Sequence, residues 1–260
     1  MGQMGESDLG KAFRVSSLEF RVWESDASPI RCDFNFPHVF FSGGTMNGHE
    51  KAVRQTAADF LRDYLQLLRD MDLDEIARVF ELLQSARRHG AMIYLAGNGG
   101  SASTASHWAN DLNKAAKIAG QTPFRVLSLT DNVSWLTALA NDEGYERSIA
   151  GQLENFAHPG DVLLVISASG NSPNLVRAVE LARERGVVTV GLLGFDGGVL
   201  NHMVDERLLL PSRKGAYGLV ESAHLLVCHL LSYCLAQAEL CGEMSLAGAP
   251  IDGAAEKRIY

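Results

Sequence analysis

Three short stretches of this chain hold residues that could do chemistry. In HWAND, His107 and Asp111 are four residues apart, so a helix puts an imidazole and a carboxylate on one face. In ESAHLLVCH, Glu221, His224 and His229 interrupt an apolar run, and Glu221 and His229 fall about 80° apart around a helix axis. Such groups cost free energy when buried alone, so they form a partly exposed stripe, an internal salt-bridged pair or a site. The third element is a pair of Ser/Gly turns, GNGGSAS (97–103) and SASGNSPN (167–174). Glycines let backbone N–H groups converge, a helix start adds partial positive charge, and serine hydroxyls add donors. That is anion-holding chemistry, with Asn98, Gly99 and Ser101 in the first turn and Ser167, Ser169, Asn171 and Ser172 in the second. One such turn is usually an ordinary helix cap. Two in one sheet point to a phosphoester.

These turns need strands before them and helices after them. Apolar runs AMIYLAG, FRVLSLTD, DVLLVISAS, VVTVGLLG and ERLLLP read as strands. Helical patterns SASTASHWANDLNKAAKIAG, NVSWLTALAND, EGYERSIAGQLENFAH and NSPNLVRAVELARERG alternate with them. Such alternation predicts an α/β fold, with right-handed crossovers and a parallel sheet covered on both faces. HEKAVRQTAADFLRDYLQLLRDM and DEIARVFELLQSARRHG precede the sheet as helices, the second ending at Gly90. LVESAHLLVCHLLSYCLAQAEL closes it as a long helix. In open parallel sheets, ligands gather at the carboxyl ends of the strands, where both turns fall. GNGGS lacks the GxGxxG spacing, no GxxxxGK[ST] exists, and GFDGG (194–198) reads as a turn after a strand.

Composition sets outer bounds. Hydrophobic residues are 47% of 260, enough for a packed core. The net charge of -8 offers no bulk attraction to nucleic acid or anionic lipid. No window reads as a membrane span of ~18 apolar residues and no signal peptide is evident, so the expected setting is cytoplasmic, with no nucleic-acid or membrane partner. Cys32, Cys228, Cys234 and Cys241 form no CxxC pair, and three of them lie on or beside one apolar helix, which fits buried thiols there and a reducing compartment. Residues 1–45 hold scattered aromatics and short alternating pieces such as FRVSSLEFRVW but no helical period. We read three parts: an extension (1–45), a domain (46–240) and a tail (241–260). One expectation is that translation starts at Met46. An intact native mass retaining Ser7 would exclude it.

GNGGS before a helix, then ISASGNS, with TDN, ALAND, PGDVLLVIS and GFDGG in order, resembles the sugar isomerase (SIS) family, and within it the phosphoheptose isomerases. The resemblance covers about residues 50–238. It implies a three-layer, doubly wound, flavodoxin-like five-stranded sheet, and an aldose–ketose isomerase acting through an enediol, most closely on sedoheptulose 7-phosphate. Phosphoheptose isomerases place a His and a Glu one turn apart after the first loop, and a Gln and a His eight apart on the last helix. These surround the substrate and bind zinc in some members. The matching positions are His107, Asp111, Glu221 and His229.

By resemblance, Asp111 is the base and His229 the acid, Ser101, Ser167, Ser169 and Ser172 hold phosphate, and Asp142 meets sugar hydroxyls. Asp for Glu shortens the base. Glu for Gln adds charge and completes a two-nitrogen, two-carboxylate set suited to zinc. Ala168 stands where the family has a hydroxyl, and Lys114 is the nearest candidate for a family arginine. These departures fit a branch acting on a related sugar phosphate. The resemblance also implies a homotetramer, its long terminal helices packed between subunits and Glu221 and His229 approaching His107 from a partner or across a subunit edge. The alternatives are a non-catalytic SIS protein of the initiator-associating type and a sugar-phosphate sensor. Retention of both histidines argues against the former, and an N-terminus unlike a helix-turn-helix argues against the latter.

Overall fold

The computed structural model describes residues 48–116 and 121–244. The extension 1–45 and the chain beyond Met244 lie outside the described residues. Strands β1 (Met92–Gly97), β2 (Arg125–Ser128), β3 (Val162–Ser167), β4 (Val188–Phe195) and β5 (Glu206–Pro211) form one sheet in the order β2-β1-β3-β4-β5. Every neighbouring pair is parallel. The order reverses between β1 and β3, so the two Ser/Gly turns end adjacent strands at the switch point.

Strand alternation builds two cores. Ile93, Leu95, Val162, Leu164 and Ile166 pack with helices α1 (Gly48–Arg69), α2 (Leu73–His89), α3 (Gly100–Asn110) and α7 (Tyr217–Met244). Tyr94, Ala96, Leu163 and Val165 face the other way, toward α5 (Ala150–Phe156) and α6 (Pro173–Glu184). Fully burying each such Leu or Val side chain contributes roughly 1.5–3 kcal/mol. Asp72 caps α2 by accepting from Asp74 N and Glu75 N, and Gly90 ends it at φ 67°, the left-handed turn its position predicts.

Four sequence expectations are modified. The helix expected over 101–120 ends at Asn110 and widens into a π turn over Asp111–Ala115, closed by Ala116 N donating to Asp111 O. The helix expected over 143–158 starts only after Gly144, which sits at φ 97°, and divides into a 3-10 turn, Tyr145–Arg147, and α5. α7 runs on to Met244. Finally, Tyr217–Gln237 is long and apolar enough to cross a membrane by length and composition, contrary to the sequence reading. Val220, Ala223, Val227, Cys228, Leu231 and Leu235 are buried in the described fold, so its apolar character supplies a core-helix face. Cys228 and Cys234 are free thiols.

Candidate active site

α3 begins where β1 ends. Gly97 must be glycine there, because a Cβ would stand 2.6 Å from the Ser101 backbone. Gly99 opens the helix at φ 54° with no side-chain cap, and Ser172 opens α6 likewise without one. α2 and α4 (Val133–Asp142) are instead capped by Asp72 and Asn132. The two helices that start at the Ser/Gly turns therefore leave orphan donors for an anion.

α7 lies along α3 and brings the chemical groups together. His107 Nε2 and His229 Nε2 are 2.8 Å apart, and Asp111 Oδ2 is 3.3 Å from the first and 3.8 Å from the second. Buried Trp108 locks this approach by donating its indole N–H to Ser232 Oγ at 3.2 Å. Ser106 holds the other flank through its hydroxyl, bonded to Asp131 after β2. Two imidazole nitrogens at this distance need one N–H donor and one acceptor, or a cation between them. A single point lies about 2 Å from all three donor atoms, the distance at which zinc takes imidazole nitrogen and carboxylate oxygen. The three residues therefore fit a metal.

Glu221 stands apart from this triangle. Its carboxylate lies over Gly100, where a Cβ would come within 2.3 Å of Oε2. It shares an open pocket of about 320 Å³ with Gly100, Ser103, Thr104, His107 and Leu225. The resemblance implies that Glu221 and His229 approach His107 from a partner or across a subunit edge; here α7 packs on α3 and brings both near His107 within one chain. Lys114 is exposed on the π turn. Asp142 is exposed at the end of α4, beside Asn141, which donates to it at 2.7 Å.

The second turn is closed on itself. Gly170 N donates to Ser167 Oγ at 3.0 Å, and Asn171 Nδ2 to Ser169 O at 2.7 Å. In GFDGG, Gly194 and Phe195 end β4 and the chain turns over 196–198, as expected, and this turn also packs against the loop. Val199 N donates to Asn171 Oδ1 and Leu200 N to Gly170 O. Gly170 is at φ 62°, and a Cβ there would fall 1.9 Å from Gly197 O, so only glycines allow the approach. Sequence reasoning passed over this support, whose signal was the glycine pair after β4.

His224 does not join the site. Its ring is fully buried, neither nitrogen makes a regular hydrogen bond, and burial lowers its pKa to about 4, the Leu193 backbone opposing weakly. Burial and then the Asp111 charge push the Cys228 thiol up.

A sequence profile described as SIS domain matches residues 58–194. A phosphoheptose isomerase from Trichlorobacter lovleyi is 37% identical over 174 residues, spanning 66% of this chain and 87% of that protein. A lincomycin biosynthesis protein from Streptomyces lincolnensis is 35% identical over 216 residues, spanning 80% and 78%. The solved phosphoheptose isomerase of Neisseria gonorrhoeae superposes with a TM-score of 0.64 at 29% identity, covering 72% of this chain and 98% of that one.

Proposed function

We propose a function from one premise: the chain belongs to the SIS-domain family, among the relatives of the phosphoheptose isomerases. It is an aldose–ketose isomerase of sugar phosphates, with sedoheptulose 7-phosphate as the substrate to test. The observation that carries this reading is the His107–Asp111–His229 triangle, with two uncapped helix starts following the adjacent strands β1 and β3.

Isomerisation takes a proton from the carbon next to the carbonyl and delivers one to the carbonyl carbon, while the hydroxyl proton changes oxygen. Asp111 is the base and His229 the acid. His107 Nε2 lies within hydrogen-bonding reach of each and, having one in-plane site, orients one of them at a time. Ser101, Ser167, Ser169 and Ser172, with backbone N–H groups of Gly99 and the second turn, hold the phosphate, and Asp142 meets sugar hydroxyls. His107, Asp111 and His229 are the side chains that would hold zinc, with Glu221 nearby. Bound zinc supplies Lewis-acid polarisation of a substrate carbonyl. The same atoms cannot ligate an ion and move protons at once, so metal dependence separates the two roles. A homotetramer and a cytoplasmic setting belong to this reading.

A second substrate is favoured by Asp111 and Glu221, which depart from the family pattern. The lincomycin-biosynthesis relative, matched over 80% of this chain, bears a name outside the phosphoheptose isomerases. Proton NMR of sedoheptulose 7-phosphate with the pure protein, with and without zinc, tests the main reading. An aldose anomeric signal is expected. Silence in both tubes overturns the heptose assignment.

A further inference from the structure

The proposed reaction needs two loops at a fixed separation: one starting the helix that carries His107 and Asp111, the other cradling phosphate. A sheet spaces strand ends, but loops beyond the last ladder bond drift unless something ties them. The structure contains such a tie. Asn98 Nδ2 donates to Asn174 Oδ1 at 2.9 Å, and Asn174 Nδ2 donates back to Asn98 Oδ1 at 2.9 Å. Asn98 lies in the first turn, between β1 and α3, and Asn174 in the first turn of α6. Tyr145 Oη donates to the same Asn98 Oδ1 at 2.7 Å. Both lone pairs of that oxygen are thereby taken. Tyr145 follows α4 and Gly144, three residues after Asp142.

We infer that Asn174 is a positioning residue for the isomerase reaction, acting through Asn98 to clamp the acid–base helix to the phosphate loop, with Tyr145 bringing in the segment that bears Asp142. This rests on the isomerase reading. Asn98 then has only its second side-chain N–H left for a ligand, since its carbonyl is fully used and one amide N–H is committed to Asn174. Asn174 is 1% exposed, so a reciprocal amide pair there is shielded from competing water. The clamp joins residues 76 apart in sequence, which no local turn could do. Inorganic phosphate loses only its first-turn contacts, at Ser101 and Gly99, when the separation drifts, whereas a sugar phosphate must also present its carbonyl end to Asp111 and His229.

That difference gives the test. In the full-length protein, Asn174→Ala should lower kcat on sedoheptulose 7-phosphate by about 10- to 100-fold, the size expected of a misplacement near 1 Å. Its dissociation constant for inorganic phosphate should rise no more than about threefold, because Ser167, Ser169 and Ser172 stay together on the second turn and only the Ser101 side is loosened. Asn98→Ala combined with Asn174→Ala should lose no more than the worse single variant, as for one shared contact. Hydrogen exchange at the Gly99–Ser103 amides should accelerate about tenfold in Asn174→Ala. Tyr145→Phe, at an exposed ring, tests the clamp without risk to folding, with a kcat loss of about threefold. Additive losses, phosphate affinity falling in step with kcat, or unchanged kcat and exchange would overturn the clamp. Should wild type leave the sugar untouched, the isomerase reading falls and exchange alone decides the clamp: faster exchange supports it, unchanged exchange refutes it.

Discussion

The two Ser/Gly turns begin from the same local grammar and finish with different work. After β3, the chain closes on its own serines and glycines and is braced by the GFDGG turn, so its shape is fixed within the phosphate-loop side. After β1, the turn opens into a helix whose chemistry is completed from the far end of the sequence, by His229 and Glu221 on α7. One loop is rigid because its neighbours are near in space and rich in glycine. The other is useful because its neighbour is a long helix that supplies missing groups. Binding and catalysis are therefore expected to fail separately.

The strongest test of that separation is Asp111→Asn. Removing the base should lower kcat by about 1,000-fold, within the range for general acid–base groups, while inorganic phosphate affinity is retained. Retention of more than about a tenth of the activity would remove the triangle from the reacting centre.

His224 tests whether the docking of α7, which completes the first loop's site, depends on acidity. Its folded pKa of about 4 lies below the ordinary 6.5, so the unfolded chain binds the extra proton first. The stability from keeping it neutral is complete above about pH 6.5 and falls as pH drops toward about 4, by roughly 3 kcal/mol. Urea unfolding of wild type and His224→Leu at pH 7.5 and 4.5 should show a shallower pH slope in the variant. Equal slopes would remove His224 from the acid response.

Gly170→Ala strikes the braced loop. Its φ of 62° and a Cβ 1.9 Å from Gly197 O should cost roughly 1–3 kcal/mol in urea unfolding and raise KM more than it lowers kcat. Gly100→Ala is the mildest change. The new Cβ meets the mobile end of Glu221, which can swing away, so stability should hold while kcat falls about tenfold. A larger KM effect for Gly100→Ala than for Gly170→Ala would reverse the assignment of the two loops.

Much of this was legible beforehand. The parallel sheet followed from apolar strands alternating with helical patterns, and the ligand edge followed from Ser/Gly turns after β1 and β3. His107 and Asp111 share a face because their spacing is helical, although the helix relaxes into a π turn at Asp111 itself. The apolar pattern of α7 was read without seeing that it satisfies a membrane-length criterion, since a buried core stripe and a span share composition. Asn174, Trp108 and Tyr145 gave no signal, because an amide, an indole and a phenol look ordinary until their partners are known.

The sequence by itself determined the elements, their order, the anion loops and the polar residues on α3 and α7, because backbone propensity and periodic burial are local properties. Only the tertiary structure decided that His229 closes on His107 within one chain while Glu221 stops at Gly100, and that Asn98 faces Asn174 rather than solvent. Those outcomes depend on how α7 docks along α3 and how neighbouring strand ends align. Both are set by packing between residues distant in the chain, and no local pattern encodes a distance across the sheet.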